Sequence, residues 1–172
     1  MADIPSLLNH YKVYDEGENL AGVSGEFELP ELSAITDTLE GTGVLGEIED
    51  PATGQFESAT FKVPFAVLYK DIYTIADQNH PKLITLRGSE QVMDSATGET
   101  KHVPVKIVCR GKAKTITNGS AQKGKKMEPE IEQELLYYKV EVDGEELVEL
   151  DKLNFVYKVR GVDLMAQIRA NC

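Results

Sequence analysis

The groups in this chain able to do chemistry are three histidines (His10, His80, His102), two cysteines (Cys109, Cys172) and many carboxylates. None is spaced for it. The histidines stand apart from one another and from both cysteines, so no tetrahedral metal site can be built locally. The motifs His-Glu-x-x-His, Gly-x-Ser-x-Gly and Cys-x-x-Cys are absent from the sequence. Asp94-Ser95-Ala96-Thr97-Gly98-Glu99 faintly resembles a calcium loop but lacks the alternate acidic oxygens. Gly41-Thr42-Gly43-Val44-Leu45-Gly46 is glycine-rich like a phosphate loop, yet no lysine follows it and its surroundings are acidic. No pair of carboxylates is singled out as acid and base. The expectation is a protein that is not an enzyme, with no catalytic, cofactor-binding or metal-binding residues and no cofactor.

The elements that would carry these residues read as strands. Period-two alternation broken by turn signals dominates, which predicts a mainly β, single-domain protein of 172 residues. After a short polar start, strands are predicted at 10–14, 22–29 and 33–39, the second with a bulge near Gly25. Gly41–Gly46 is then the bending tip of a long hairpin over about residues 37–60. Two similar hexads, Asp50–Gln55 and Asp94–Glu99, read as turns closed by glycine. The second joins strands 82–93 and 100–116, with Val103, Val105, Ile107 and Cys109 on one face, making Cys109 a buried free thiol. Pro104 places the first half of that strand at a sheet edge. Phe65, Leu68, Ile72 and Ile75 recur at helical spacing, predicting a flanking helix over 64–77 that ends before His80-Pro81. The strand 131–143 is closed by Asp143-Gly144, a tight hairpin signal. A strand 153–159 follows, then Gly161, then Asp163 placed to cap a short C-terminal helix. The fold class expected is an antiparallel β-sandwich or barrel with one flanking and one terminal helix.

Charge narrows the function further. The formal net charge is −11, and every charged side chain between Lys12 and Lys62 is acidic. A nucleic-acid reader needs the opposite sign. The densest positive cluster is Lys123, Lys125 and Lys126, in a polar loop over about residues 117–129 with no aromatic residue for base stacking. No apolar run is long enough for a membrane helix, and Met1-Ala2-Asp3-Ile4-Pro5 does not read as a secretion signal. Synthesis and folding in a cytoplasm is the expectation.

The C-terminal third, Tyr137 to Arg169, carries a resemblance. Its order of Tyr137-Tyr138-Lys139-Val140-Glu141-Val142-Asp143-Gly144, a short strand, Val159-Arg160-Gly161-Val162-Asp163 and a closing Arg169-Ala170-Asn171 resembles the major tail tube proteins of contractile-tailed bacteriophages and R-type bacteriocins. Val105 to Lys114 is similar to the family strand ending in an Arg-Gly step, and Phe27-Glu28-Leu29-Pro30 with Leu32 to its Leu-Pro-Lys-Leu element, Glu31 replacing the usual base. The resemblance implies a structural subunit of stacked hexameric rings, the inner tube of a contractile tail. It implies a conduit for DNA or ions, with DNA passing unbound, and no membrane insertion by this chain. The implied partners are further copies of itself, the tail sheath on the outer face, and the baseplate and terminator proteins. The implied location is the virion tail, after assembly in the bacterial host cytoplasm.

The acidic run admits two meanings, a solubilising face or a conduit wall that does not hold DNA. The candidate contacts between subunits are Gly43, Val44, Leu45 and Ile48 in the early hairpin, reaching a neighbouring ring, and Lys123, Lys125 and Lys126 in the later loop. The competing readings are a stand-alone β-sandwich binding module, disfavoured by the absence of tryptophan, and a type VI secretion tube ring protein.

Overall fold

A computed structural model describes residues 3–172 of the chain. Eleven strands form within them: β1 Asp3–Asp15, β2 Glu18–Asn19, β3 Ala34–Leu39, β4 Ile48–Phe56, β5 Thr60–Pro64, β6 Lys82–Asp94, β7 Thr100–Thr117, β8 Glu130–Val142, β9 Glu145–Asp151, β10 Val156–Val159 and β11 Val162–Asp163. Ala166–Asn171 forms the C-terminal helix α1. All pairings are antiparallel, in the order β11-β10-β9-β8-β7-β6-β1-β2, with β5 on the free side of the first half of β8.

This sheet curls until it nearly meets itself. Leu20 N–H donates to Val13 O (2.8 Å), and farther on Lys62 N–H donates to Glu28 O (3.1 Å). The segment between β2 and β3 thus bridges β1 to β5 and closes a small barrel. The predicted strand 22–29 is therefore not a strand; isolated bridges Val23–Phe65 and Glu28–Lys62 are its only ladder contacts. Inside lie Phe27, Phe61, Val63, Phe65, Ile84, Leu86, Ile107, Cys109, Ile131 and Leu135, with Phe27 stacked on Phe61 at 6.3 Å between ring centroids.

The predicted flanking helix is also absent. Phe65 remains extended, its N–H donating to Pro129 O (2.8 Å), and Tyr69 is still β-like at φ −147°. Only Lys70–Thr74 turns, as a 3-10 helix whose Ile72, with Ile75 just beyond it, plugs the barrel end. A 3-10 turn repeats every three residues, so it gives the same Ile72/Ile75 spacing that a helix face would. Gln133, fully buried, donates from Nε2 to Ile75 O (2.8 Å) and so fixes the plug to β8.

Two hairpin turns match expectation. Asp94 Oδ1 accepts from the N–H of Ala96 (2.8 Å) and Thr97 (3.0 Å), and Asp143 and Gly144 both take positive φ, 52° and 78°, as a two-residue primed turn requires. Pro104 sits where β7 has left β8, whose pairing starts at Val105. The hexad Asp50–Gln55 departs from its prediction: it lies within β4. Register jumps from Ala34–Phe56 to Thr36–Pro51, so Ala52–Gln55 bulge out and Gly54 carries the positive φ of 71°. The turn chemistry is present but kinks a strand instead of ending one. Likewise Leu153 and Phe155, expected on a strand face, stand in an exposed turn before β10, with Phe155 at φ 55°.

Cys109 is buried at 1% exposure, and that burial pushes its thiol up to about 12. Cys172 is exposed. Because the thiolate is the reactive form, a disulfide reagent should label Cys172 at once in the native protein and Cys109 only after denaturation, as counted by thiol titration.

Candidate assembly surfaces

The most exposed structure is the β3–β4 hairpin. It forms a two-stranded sheet of its own, and from Ile35 to Pro51 every residue except the half-buried Val44 is exposed, on both faces of the ribbon. It is an arm, not part of the barrel wall. Leu45 at its tip is fully exposed, and Leu39 and Ile48 are half-exposed. The arm carries Asp37, Glu40, Glu47, Glu49 and Asp50, none of them in an ion pair among the described residues. An isolated two-stranded hairpin is marginal in water. Its root is held by the bulge at Gly54, where the Met165 side chain occupies the space a Cβ would need.

The sequence-predicted loop contacts lie elsewhere. Lys123, Lys125 and Lys126 are all exposed, in the segment between β7 and β8, and also lack ion-pair partners among the described residues. The loop is nonetheless anchored. Met127 N–H donates to Ala66 O (2.9 Å), Ser120 N–H to Met127 O (2.9 Å), and Tyr73 hydroxyl to Asn118 Oδ1 (3.0 Å). Gly119 (φ 77°) lies so close to the Met127 carbonyl that no side chain fits there. The structure therefore does not bring the two groups of candidate residues together within one subunit.

Two surfaces escaped the sequence reading. β1 is paired with β2 only at Tyr14 and Asp15, so from Asp3 to Lys12 its outer backbone edge is free among the described residues. That edge exposes Ile4, Leu7 and Leu8 at roughly half their area. Bulges between Pro5 and Leu7 and between Leu8 and His10 break the alternation, which is why the segment reads as a polar start. At the other end of the sheet Phe155, Val162, Leu164 and Ile168 form a second exposed apolar patch. Arg169 holds it in shape: Nη1 donates to Phe155 O (2.6 Å) and Nη2 pairs with Asp163, whose Oδ1 accepts the Met165 N–H (3.0 Å). Asp163, expected to cap α1, instead accepts the N–H of Met165, which stands at the N-terminus of α1 with no side-chain cap.

The Arg169 hydrogen bond, with the Met165 N–H, holds the Asp163 carboxyl below its ordinary 3.8. A depressed carboxyl supports the fold above its ordinary value and loses that support as pH falls through the lowered one. Acidification below about pH 4 should free α1 ahead of global unfolding, seen as early loss of amide protection over 164–171 while β7 and β8 stay protected.

The open face of the barrel's sheet carries a row of basic residues. Lys12, Arg87 and Lys106 lie directly opposite one another across β1, β6 and β7, and Lys106 continues to Glu141 of β8 (3.7 Å). Beside that row, Lys139 pairs with Glu141 (2.8 Å) and Glu146 (3.2 Å), and Lys158 with Glu149 (3.7 Å). Tyr14 and Tyr137 lie under Arg87 and Arg110, each 5.7 Å from guanidinium carbon to ring centroid. Tyr137 donates to Glu149 (3.0 Å), and burial with that carboxylate pushes its hydroxyl up to about 12. Of the carboxylates between Lys12 and Lys62, Asp15 ends β1, Glu16 and Glu18 lie in the β1–β2 turn and β2, Glu26, Glu28 and Glu31 on the bridging segment, Glu57 just after β4, and the rest on the arm.

One cleft of about 420 Å³ lies between β2 and the 3-10 turn, lined by Asp15, Glu18, Tyr69, Asp71, Thr74 and Lys82 and by no histidine or cysteine. His80 contacts only Asp77 (2.7 Å) on the exposed surface, and no cluster of three or more metal-ligating side chains occurs among the described residues.

A protein built of edges and an arm is compared most usefully with assembly proteins. The family model described as phage tail tube protein FII matches residues 5–172. The chain belongs to the phage tail tube family. The tail tube protein of Escherichia phage P2 is 31% identical over 175 residues, covering 98% of this chain and 97% of that one. Among solved structures, the cryo-EM structure of an extracellular contractile injection system, the PVC sheath/tube terminator in its extended state, matches with a TM-score of 0.55. Its identity is 15%, over 82% of this chain and 99% of that chain, so that likeness concerns the fold alone. As a tail tube protein the chain is a structural subunit of a contractile tail, and the mainly β, antiparallel architecture expected from its sequence is the one observed.

Proposed function

We propose that this tail tube subunit closes into hexameric rings whose stack is the conduit of a contractile tail, passing DNA or ions into the target cell. The observation that carries the reading is the outer edge of β1, which from Asp3 to Lys12 pairs with β6 on one side and with no strand on the other among the described residues, and which exposes Ile4, Leu7 and Leu8. A long apolar edge is an association template unless something blunts or covers it. In a ring the next copy covers it. The edge lies at one end of the sheet and the Phe155–Ile168 patch at the other, so the contact joins unlike surfaces and propagates by rotation, as a closed ring requires.

The wall of the conduit is, in this reading, the open face carrying Lys12, Arg87, Lys106 and the Lys139–Glu141–Glu146 pairs. Lys106, Lys139 and Lys158 are paired with carboxylates there, whereas Lys12 and Arg87 have no ion-pair partner among the described residues, so basic charge is only partly neutralised and the face holds no site shaped for one nucleic-acid sequence. DNA then passes without specific contact, though the wall is not the acidic lining that composition alone suggested. Tail sheath on the outer face, baseplate and terminator proteins complete the tail, assembled in the cytoplasm of the bacterial host. Negative-stain microscopy of the purified protein at high concentration tests this: rings or hollow rods are expected, and a uniform monomer at every concentration and ionic strength would return the chain to the class of stand-alone β modules.

A further inference from the structure

The six asparagines of the chain have unequal neighbours. Five precede His10, Leu20, His80, Phe155 and Cys172, whose side chains crowd the peptide nitrogen that follows the asparagine. Asn118 alone precedes a glycine, Gly119, at the start of the loop that carries Lys123, Lys125 and Lys126. With no Cβ in the way, the Gly119 backbone nitrogen can reach the Asn118 side-chain carbonyl. Asparagine is among the residues that heat degrades.

The loop's structure favours that reaction. Both residues are exposed, so water has access. The Gly119 N–H has no hydrogen-bond partner among the described residues, whereas the next one, on Ser120, donates to Met127 O (2.9 Å). The Tyr73 hydroxyl donates to Asn118 Oδ1 (3.0 Å), the oxygen that gains negative charge when Cγ is attacked. Nor can the glycine be exchanged for a protective side chain. At φ 77° a Cβ on Gly119 would overlap the Met127 carbonyl. The fold therefore requires the very residue that leaves Asn118 open.

We propose that Asn118 is a self-modification site, converted without an enzyme to aspartate and isoaspartate, and that the isoaspartate form unlatches the lysine loop. The Gly119 nitrogen gives up its proton and bonds to Asn118 Cγ. The Cγ–Nδ2 bond breaks, and Nδ2 takes a proton and leaves as ammonia. A succinimide ring remains. Water then opens it: cleavage at Cγ restores the backbone with an aspartate, and cleavage at the main-chain carbonyl routes the backbone through the side chain as isoaspartate. Nothing is oxidised or reduced, and the net exchange is one water for one ammonia. Isoaspartate adds a carbon to the backbone between Thr117 and Gly119. That lengthening draws Ser120 off Met127 O and moves the acceptor away from Tyr73, two of the ties that hold the loop to the barrel. The lysines beyond them then swing free. This chemistry needs only the single subunit and is independent of ring or tube.

Ageing the purified full-length chain tests both halves. Peptide mapping by mass spectrometry should find conversion confined to Asn118, with isoaspartate the larger product. It should run faster at mildly alkaline pH, because the attacking nitrogen must shed its proton. Asn118→Gln should give no acidic product in the same time, since its longer side chain must close a larger ring. Trypsin should cut after Lys123, Lys125 or Lys126 several-fold faster in aged protein than in fresh. Freshly purified Asn118→Asp, which keeps the backbone and an acceptor for Tyr73, should be cut no faster than the fresh parent. Conversion spread over the other asparagines, or an Asn118 that outlasts them, overturns the site. Conversion at Asn118 with unchanged cleavage overturns the unlatching, and so does an Asn118→Asp chain cut as fast as the aged one.

Discussion

Gly111→Ala is expected to destabilise the fold by about 1–3 kcal/mol, and Gly111→Val by more, because both overfill a point where three elements converge. Gly111 lies on β7 opposite Leu135, beside the site where Leu136 bulges out of β8. There β8 exchanges partners. Leu135 N–H still donates toward β5 at Ala59 O (2.8 Å), whereas Leu136 O already accepts from Lys152 beyond β9 (3.1 Å). A Cβ on Gly111 would lie 2.7 Å from Glu134 O, 2.8 Å from Phe61 Cε1 and 3.0 Å from Gln133 Cβ. The first neighbour is backbone and cannot swing aside. The second is a fully buried ring stacked on Phe27. Urea denaturation should show the lower midpoint with an unchanged slope. Phe61→Leu in the same chain should cost less than it does alone, since the shortened side chain makes room for the added methyl. Additive losses, or a midpoint within experimental error of the parent, would contradict the packing described.

Ring formation should be lost in the double variant Leu7→Lys, Leu8→Lys, with the monomer as stable as the parent. Both leucines are about half exposed in the isolated subunit, so replacing them costs the monomer little, within about 0.5 kcal/mol for surface sites. Covered by a neighbour, each would contribute on the order of 1–1.5 kcal/mol of apolar burial. Their removal weakens each junction about 30–150-fold at 1.4 kcal/mol per decade, before the cost of placing lysines along an edge strand. Every ring has as many such junctions as subunits, so the losses compound. Sedimentation velocity should return a single slow species at concentrations where the parent gives rings.

The sheet's centre was readable because its local and global demands agree. From Val105 to Cys109 of β7 and from Tyr138 to Val142 of β8 the register is unbroken, and the turns at Asp94–Gly98 and Asp143-Gly144 use residues whose chemistry allows little else. The core position of Cys109 followed from the same alternation. Reading failed wherever the barrel closes on itself. Gly22 to Leu29 touches β5 only by bridges, and the plug at Ile72 and Ile75 copies helical spacing while staying at one turn. The hexad at Asp50–Gln55 shows that turn chemistry fixes a kink without fixing whether the strand stops. Of the candidate assembly surfaces, the arm's tip around Gly43 and Leu45 and the lysine loop were visible as unpatterned segments, and both are exposed. The β1 edge was not, because openness on one side of a strand depends on which strands fail to arrive, a property of the whole sheet.

An arm with neither face covered has a consequence for the lone subunit. Its ribbon is the segment that a protease would meet first, so before assembly the chain should be nicked there while the barrel stays whole. Any contact that covered the ribbon would double as protection, and the age of a preparation would be written in its cut arms.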